Sequence, residues 1–224
     1  MIRLVCSIAM LLCASPAIAQ SSSPVGAESG RLDLTIGVVW IGRAEIGSRD
    51  ADETTGTGGT FRLFSSSTTL TSASGLEGHL GFRLMPRLEV EASASYAKPR
   101  VETRVDNDFE TSNAPLILAD TIEQFTIGGA ALWYLRLPRL GNRLFLRGGA
   151  GYLRQLEDEG TLAVTGRTYD VGGGMKFGLL SRTGWWKGIG VRLDARAVVR
   201  QKGVTLDNRA HASPAVGAAL FVRF

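Results

Sequence analysis

Leu76-Glu77-Gly78-His79-Leu80-Gly81-Phe82-Arg83-Leu84-Met85-Pro86-Arg87-Leu88-Glu89-Val90-Glu91-Ala92-Ser93-Ala94-Ser95-Tyr96 alternates in character on both sides of its proline. Successive side chains of an extended strand point to opposite faces. Leu76, Leu80, Phe82 and Leu84 therefore share a face with Leu88, Val90, Ala92, Ala94 and Tyr96, while Glu77, His79, Gly81, Arg83, Glu89, Glu91, Ser93 and Ser95 share the other. The tight Met85-Pro86-Arg87 link predicts a hairpin with Leu84 opposite Leu88. That register sets Arg83 against Glu89, Gly81 against Glu91, His79 against Ser93 and Glu77 against Ser95.

Working outward, eight segments alternate in this way: residues 31–43, 68–84, 88–104, 121–135, 144–156, 161–178, 189–200 and 213–224. The last of them ends Leu220-Phe221-Val222-Arg223-Phe224, with Val216, Ala218, Leu220 and Val222 on one face and Gly217, Ala219, Phe221 and Arg223 on the other. The links fall into two sets. Residues 85–87, 136–143 and 179–188 join strands at one end, and residues 44–67, 105–120, 157–160 and 201–212 at the other. The shortest link lies in the first set and most of the long ones in the second, as in bacterial membrane barrels with short periplasmic turns and longer external loops. An even strand number returns the chain to the side on which it began. The stretch 49–67, rich in Thr, Ser and Gly, reads either as an external loop or as an extension of two strands above the membrane.

Met1-Ile2-Arg3, the apolar run from Leu4 to Ala17 and the small-x-small Ala17-Ile18-Ala19 read as a secretory signal cleaved after Ala19. The expected organisation is a signal peptide at 1–19, a short periplasmic segment at 20–30 and one barrel domain at 31–224. Both cysteines, Cys6 and Cys13, would leave with the signal, so neither a disulfide nor a cysteine metal site is expected. Beyond the signal no apolar run approaches the ~20 residues of a transmembrane helix. Strands that enter a membrane must then close into a barrel, because lipid offers no partner to an open sheet edge. The net charge of +4 is mild and scattered, and no nucleic-acid partner is expected.

Alternation alone does not say which face is inside, since a soluble barrel buries its apolar face. The polar face is rich in Gly, Ala and Ser, which suits the narrow interior of eight strands. It carries charges of both signs that can pair there: Asp33, Glu77, His79, Arg83, Glu89, Glu91, Arg147, Asp170, Lys176, Arg192, Asp194, Arg196 and Arg223. Aromatics near the segment ends, Tyr96 and Tyr152 toward one side and Phe82, Trp133, Phe177, Trp185 and Trp186 toward the other, suit interfacial girdles. The expectation is an all-β, eight-stranded antiparallel up-and-down transmembrane barrel with a polar lumen.

The Gly78-x-x-x-Phe82-Arg83-Leu84-x-Pro86-Arg87-Leu88 hairpin, the Gly148-Gly149-Ala150-Gly151-Tyr152 strand and the final Phe224 resemble the small outer-membrane β-barrel superfamily that includes the OmpA transmembrane domain, OmpX and OmpW. The resemblance implies the cell outer membrane, contact with its lipid and lipopolysaccharide, and a monomer without cofactor. It also implies insertion by barrel-assembly machinery that reads Leu220, Val222 and Phe224. A structural or surface-interaction role is expected, with a narrow conduit for small or apolar solutes, as in OmpW, as the alternative and an envelope-lipid enzyme as the remote one.

Four constellations bear on chemistry. His79, Ser93, Glu77 and Glu91 are the residue types of a Ser-His-acid hydrolase, but also of a polar plug. His211-Ala212-Ser213-Pro214 has the His-x-Ser order of outer-membrane lipid A deacylases, without their amide residue or a following acid. Asp106-Asn107-Asp108-Phe109-Glu110 lacks the glycine and terminal Glu of a calcium loop. The glycines at 148, 149, 151 and 172–174 lie inside strands rather than before a helix, so they are read as lumen space and not as a phosphate cradle.

Overall fold

The computed structural model describes residues 30–54, 56–106, 116–137, 141–157, 163–204 and 209–224. The expected signal and its cleavage at Ala19 lie outside them, as do Asn107 to Glu110. Among the described residues, eleven antiparallel strands form one sheet: β1 (Leu32–Ile41), β2 (Ala44–Thr54), β3 (Thr60–Leu70), β4 (Ala73–Met85), β5 (Leu88–Ala97), β6 (Arg100–Asp106), β7 (Leu116–Leu137), β8 (Gly141–Glu157), β9 (Ala163–Ser181), β10 (Gly188–Lys202) and β11 (His211–Arg223). Eight of them close a ring in the order β1-β4-β5-β7-β8-β9-β10-β11, sealed by β1 against β11 and by β7 against β8. The remaining three, β2, β3 and β6, pair with one another and with the start of β7 as a sheet that rises from one rim.

Three two-residue breaks mark that rim: Gly42-Arg43, Thr71-Ser72 and Lys98-Pro99. Proline has no N–H to give the ladder, so β5 stops at Ala97, while the Pro99 carbonyl still accepts from the Ile122 N–H at 2.9 Å. Residues 44–67 are thus largely the β2–β3 hairpin rather than a loop, and the expected segments 68–84 and 88–104 each divide between ring and upper sheet. The fourth segment is also longer than alternation suggested, since β7 starts at Leu116.

In the opening hairpin every pairing from Leu76–Tyr96 to Arg83–Glu89 has the expected register. Its end does not. Met85, not Leu84, pairs with Leu88, because a register shift between Arg83 and Met85 takes up the odd residue of the Pro86-Arg87 turn. β1 and β5 have ten residues each, within the ~9–11 that a tilted strand needs to cross a bilayer. Their apolar faces look outward. Ile36 is 71% exposed and Leu220 58%, alongside Leu34, Val38, Leu76, Leu80, Ile127, Leu146, Val171, Leu193 and Val216. A closed ring with such a surface is stable only in an apolar solvent.

Candidate functional site in the lumen

The inward residues of β1, β4, β5, β7, β8, β9, β10 and β11 face one another across a narrow interior. In the lower part, the end holding the Pro86 turn, Lys176 Nζ donates to Asp33 Oδ2 at 2.9 Å and to Glu89 Oε1 at 2.7 Å. Arg223 Nε and Nη2 donate to the two oxygens of Asp33 at 2.8 and 3.0 Å, and the Tyr134 hydroxyl donates to Glu89 Oε2 at 2.7 Å. Arg83 Nη2 lies 3.7 Å from the same Glu89 oxygen.

Glu91 is the hub of the next layer. It accepts from Arg147 Nη1 at 2.7 Å and from Arg192 Nη1, and His79 Nδ1 lies 2.8 Å away. The two guanidinium groups go on to other acids, Arg147 Nε to Asp170 Oδ1 at 2.6 Å and Arg192 Nε to Asp194 Oδ2 at 3.1 Å. Glu77 accepts from Arg196 Nη2 at 2.5 Å and lies 3.3 Å from His79 Nε2. The thirteen inward charged residues named from the sequence fall into two ion-paired layers, Asp33, Arg83, Glu89, Lys176 and Arg223 below and Glu77, His79, Glu91, Arg147, Asp170, Arg192, Asp194 and Arg196 above, with the Tyr134 and Phe145 rings packed between them. Six carboxylates meet six permanent cations, and Arg192, in the upper layer, is 0% exposed. Balance matters here, because an unpaired buried charge costs several kcal/mol.

Glycine supplies the room. A methyl group at Gly149 would stand 2.5 Å from Asp170 Oδ2, and one at Gly174 would stand 2.6 Å from Phe145 Cζ. The aromatic and apolar part of the lumen was missed by polarity alone: Leu132, Tyr134, Phe145 and Leu153 are fully buried and face inward. Arg83 sits 5.0 Å from the Tyr134 ring centre and Arg192 5.1 Å from that of Phe145, so rings cap the cations where carboxylates do not. The available signal was register, since Trp133 outward requires Leu132 and Tyr134 inward, but the run Ala131-Leu132-Trp133-Tyr134-Leu135 hides it.

Neither hydrolase constellation assembles. His79 faces Ser93 in the register, yet both ring nitrogens are turned to carboxylates, leaving none to take a proton from the serine. His211 and Ser213 occupy the inward face of β11, at the mouth of the barrel rather than toward lipid. At that mouth Glu77, Ser93, Ser95, Gln124, Thr126, Thr168, Arg196 and Arg200 border a cavity of about 50 Å³.

At the lower edge Trp185 stacks near Phe224, with ring centres 5.4 Å apart, while Trp133 and Phe82 are exposed nearby on the outer surface. Tyr152 and Trp40 are exposed nearer the opposite edge. A closed eight-stranded ring, an apolar outer surface with aromatic edges and a charged interior together define a transmembrane β-barrel.

No protein-family model matches the sequence, and no curated protein does. Solved structures do. The outer membrane protein OprG from Pseudomonas aeruginosa is similar with a TM-score of 0.46 at 10% identity, over 89% of this chain and 98% of that one. Ail, the attachment invasion locus protein of Yersinia pestis, has a TM-score of 0.39 at 13% identity, over 88% of this chain and all (100%) of its own. The outer membrane protease OmpT from Escherichia coli has 0.38 at 9% identity, over 89% and 100%.

Proposed function

We propose that the protein is a non-catalytic barrel of the outer membrane whose lumen is shut by its ion-pair network and whose upper sheet is displayed outside the cell. There the sheet contacts lipopolysaccharide or other surfaces. The observation that carries the closed lumen is Glu91 on β5, held by Arg147 from β8 and by Arg192 from β10 across the ring, and 4% exposed. An ion crossing that level must part charges that are already satisfied, in an interior where the attraction between them is strong. The orientation rests on the short Pro86-Arg87 turn at one end and the four-stranded sheet at the other. In this reading the chain is a monomer, inserted by the barrel-assembly machinery through its last strand.

Planar-bilayer recording of the purified protein tests the closed lumen. Little steady conductance is expected. Large, stable channels would overturn it in favour of a conduit for small solutes.

A further inference from the structure

Among the described residues, the mouth of the barrel holds a buried cation that the network does not use. Arg200, on β10, is 6% exposed, and no hydrogen bond or ion pair joins it to any described residue; its Nε in particular is buried without a partner. The two acids that border the same cavity are already committed, Glu77 to Arg196 and Asp170 to Arg147. Ser213 on β11 is also buried with an unpartnered hydroxyl. It is opposite Val198, while Arg200 is opposite His211, so the two orphan groups are diagonal neighbours on the inward face of adjacent strands.

Arg200 borders both spaces at the mouth. One is the 50 Å³ cavity with Ser95, Gln124, Thr126 and Thr168; the other, of about 20 Å³, lies against Gln155, Lys202 and His211. A buried guanidinium without a counter-charge is costly, and its fork of N–H donors matches the oxygens of a phosphate or carboxylate. Hydroxyl and amide groups around it can bond the remaining oxygens. At ~10–15 Å³ per water, the larger space holds only a few waters, which fits a small anionic head and not an extended molecule.

We propose that Arg200 is the anchor of an oxyanion-binding site in the mouth of the barrel, taking a phosphate-type group, either free or as the exposed head of an envelope lipid. The site does not depend on whether the lumen below conducts.

Inorganic phosphate is the probe. The folded protein in alkyl maltoside micelles is titrated at constant ionic strength against chloride, with binding followed by calorimetry and by the phosphorus resonance. Saturable one-site binding is expected, with at least a tenfold loss in Arg200→Met and a smaller loss in Arg200→Lys. Because Arg200→Met removes an uncompensated buried charge, it should fold at least as well as the parent, which a melting curve verifies. Phosphate binding that is absent, or equal in parent and Arg200→Met, would overturn the site. Competition separates the sources: displacement of phosphate by lipopolysaccharide assigns the lipid head, and its failure assigns the free anion.

Discussion

The lower lumen and its mouth are built from the same strands and the same residue types, yet they treat charge in opposite ways. Below, Asp33, Glu89 and Glu91 each hold two or more donors, and aromatic rings cover what is left of the cations. Above, Arg200 is almost as deeply buried as Lys176 and has no acid at all among the described residues. The difference teaches that burial of charge in this barrel is not one device. In the lower part it joins opposite walls; at the mouth it leaves an interaction open.

The comparison breaks most visibly at Glu91. Glu91→Ala leaves Arg192 and Arg147 facing each other without their shared acid and should cost about 3–5 kcal/mol, the usual cost of breaking a buried pair. Urea unfolding in detergent, followed by the mobility shift between folded and unfolded forms, measures it. A change no larger than that of a surface pair would mean that Glu91 is not the hub of its layer. Tyr134→Phe is the finer probe. It removes one hydroxyl bond to a buried carboxylate, for about 1.5–3 kcal/mol by the same assay.

Smallest of all should be Arg62→Ala in the upper sheet. Its contact with Asp50 at 2.8 Å is half exposed on both sides. Surface pairs of this kind contribute less than about 1 kcal/mol, and a larger loss would show the sheet to be more tightly coupled to the ring than its geometry indicates.

The ring was legible in the sequence because each crossing segment has a face of one polarity. The pairs Arg83–Glu89 and Glu91–Gly81 followed from counting back from Pro86, and the local shift that releases Leu84 from Leu88 touches only the turn. What escaped was the upper sheet as a definite element. Ser65 to Thr69 carries small hydroxyl residues at every position, so no period of two is visible, and the partner of β3 is β6, some forty residues away across the rim. The inward rings escaped for the converse reason: Tyr134 and Phe145 are flanked by apolar neighbours, and polarity does not separate the two faces there. The place of Arg200 needed the three-dimensional wall, since its isolation is a fact about its neighbours and not about its own segment.

The 22-residue strand β7 has a mechanical consequence. The other ring strands that supply the upper sheet are interrupted at the rim, by Gly42-Arg43, Thr71-Ser72 or Lys98-Pro99, whereas β7 passes through unbroken, bonded to β6 from Leu116 to Thr121 and to β8 from Ile122 downward. A pull on the sheet along the barrel axis therefore loads the β7 ladder in shear, with many backbone hydrogen bonds resisting together. Backbone hydrogen bonds at the breaks, Gly42 to Pro214, Thr71 to Arg100 and Ile122 to Pro99, share that load, and β7 carries it from sheet to wall without an interruption of the strand.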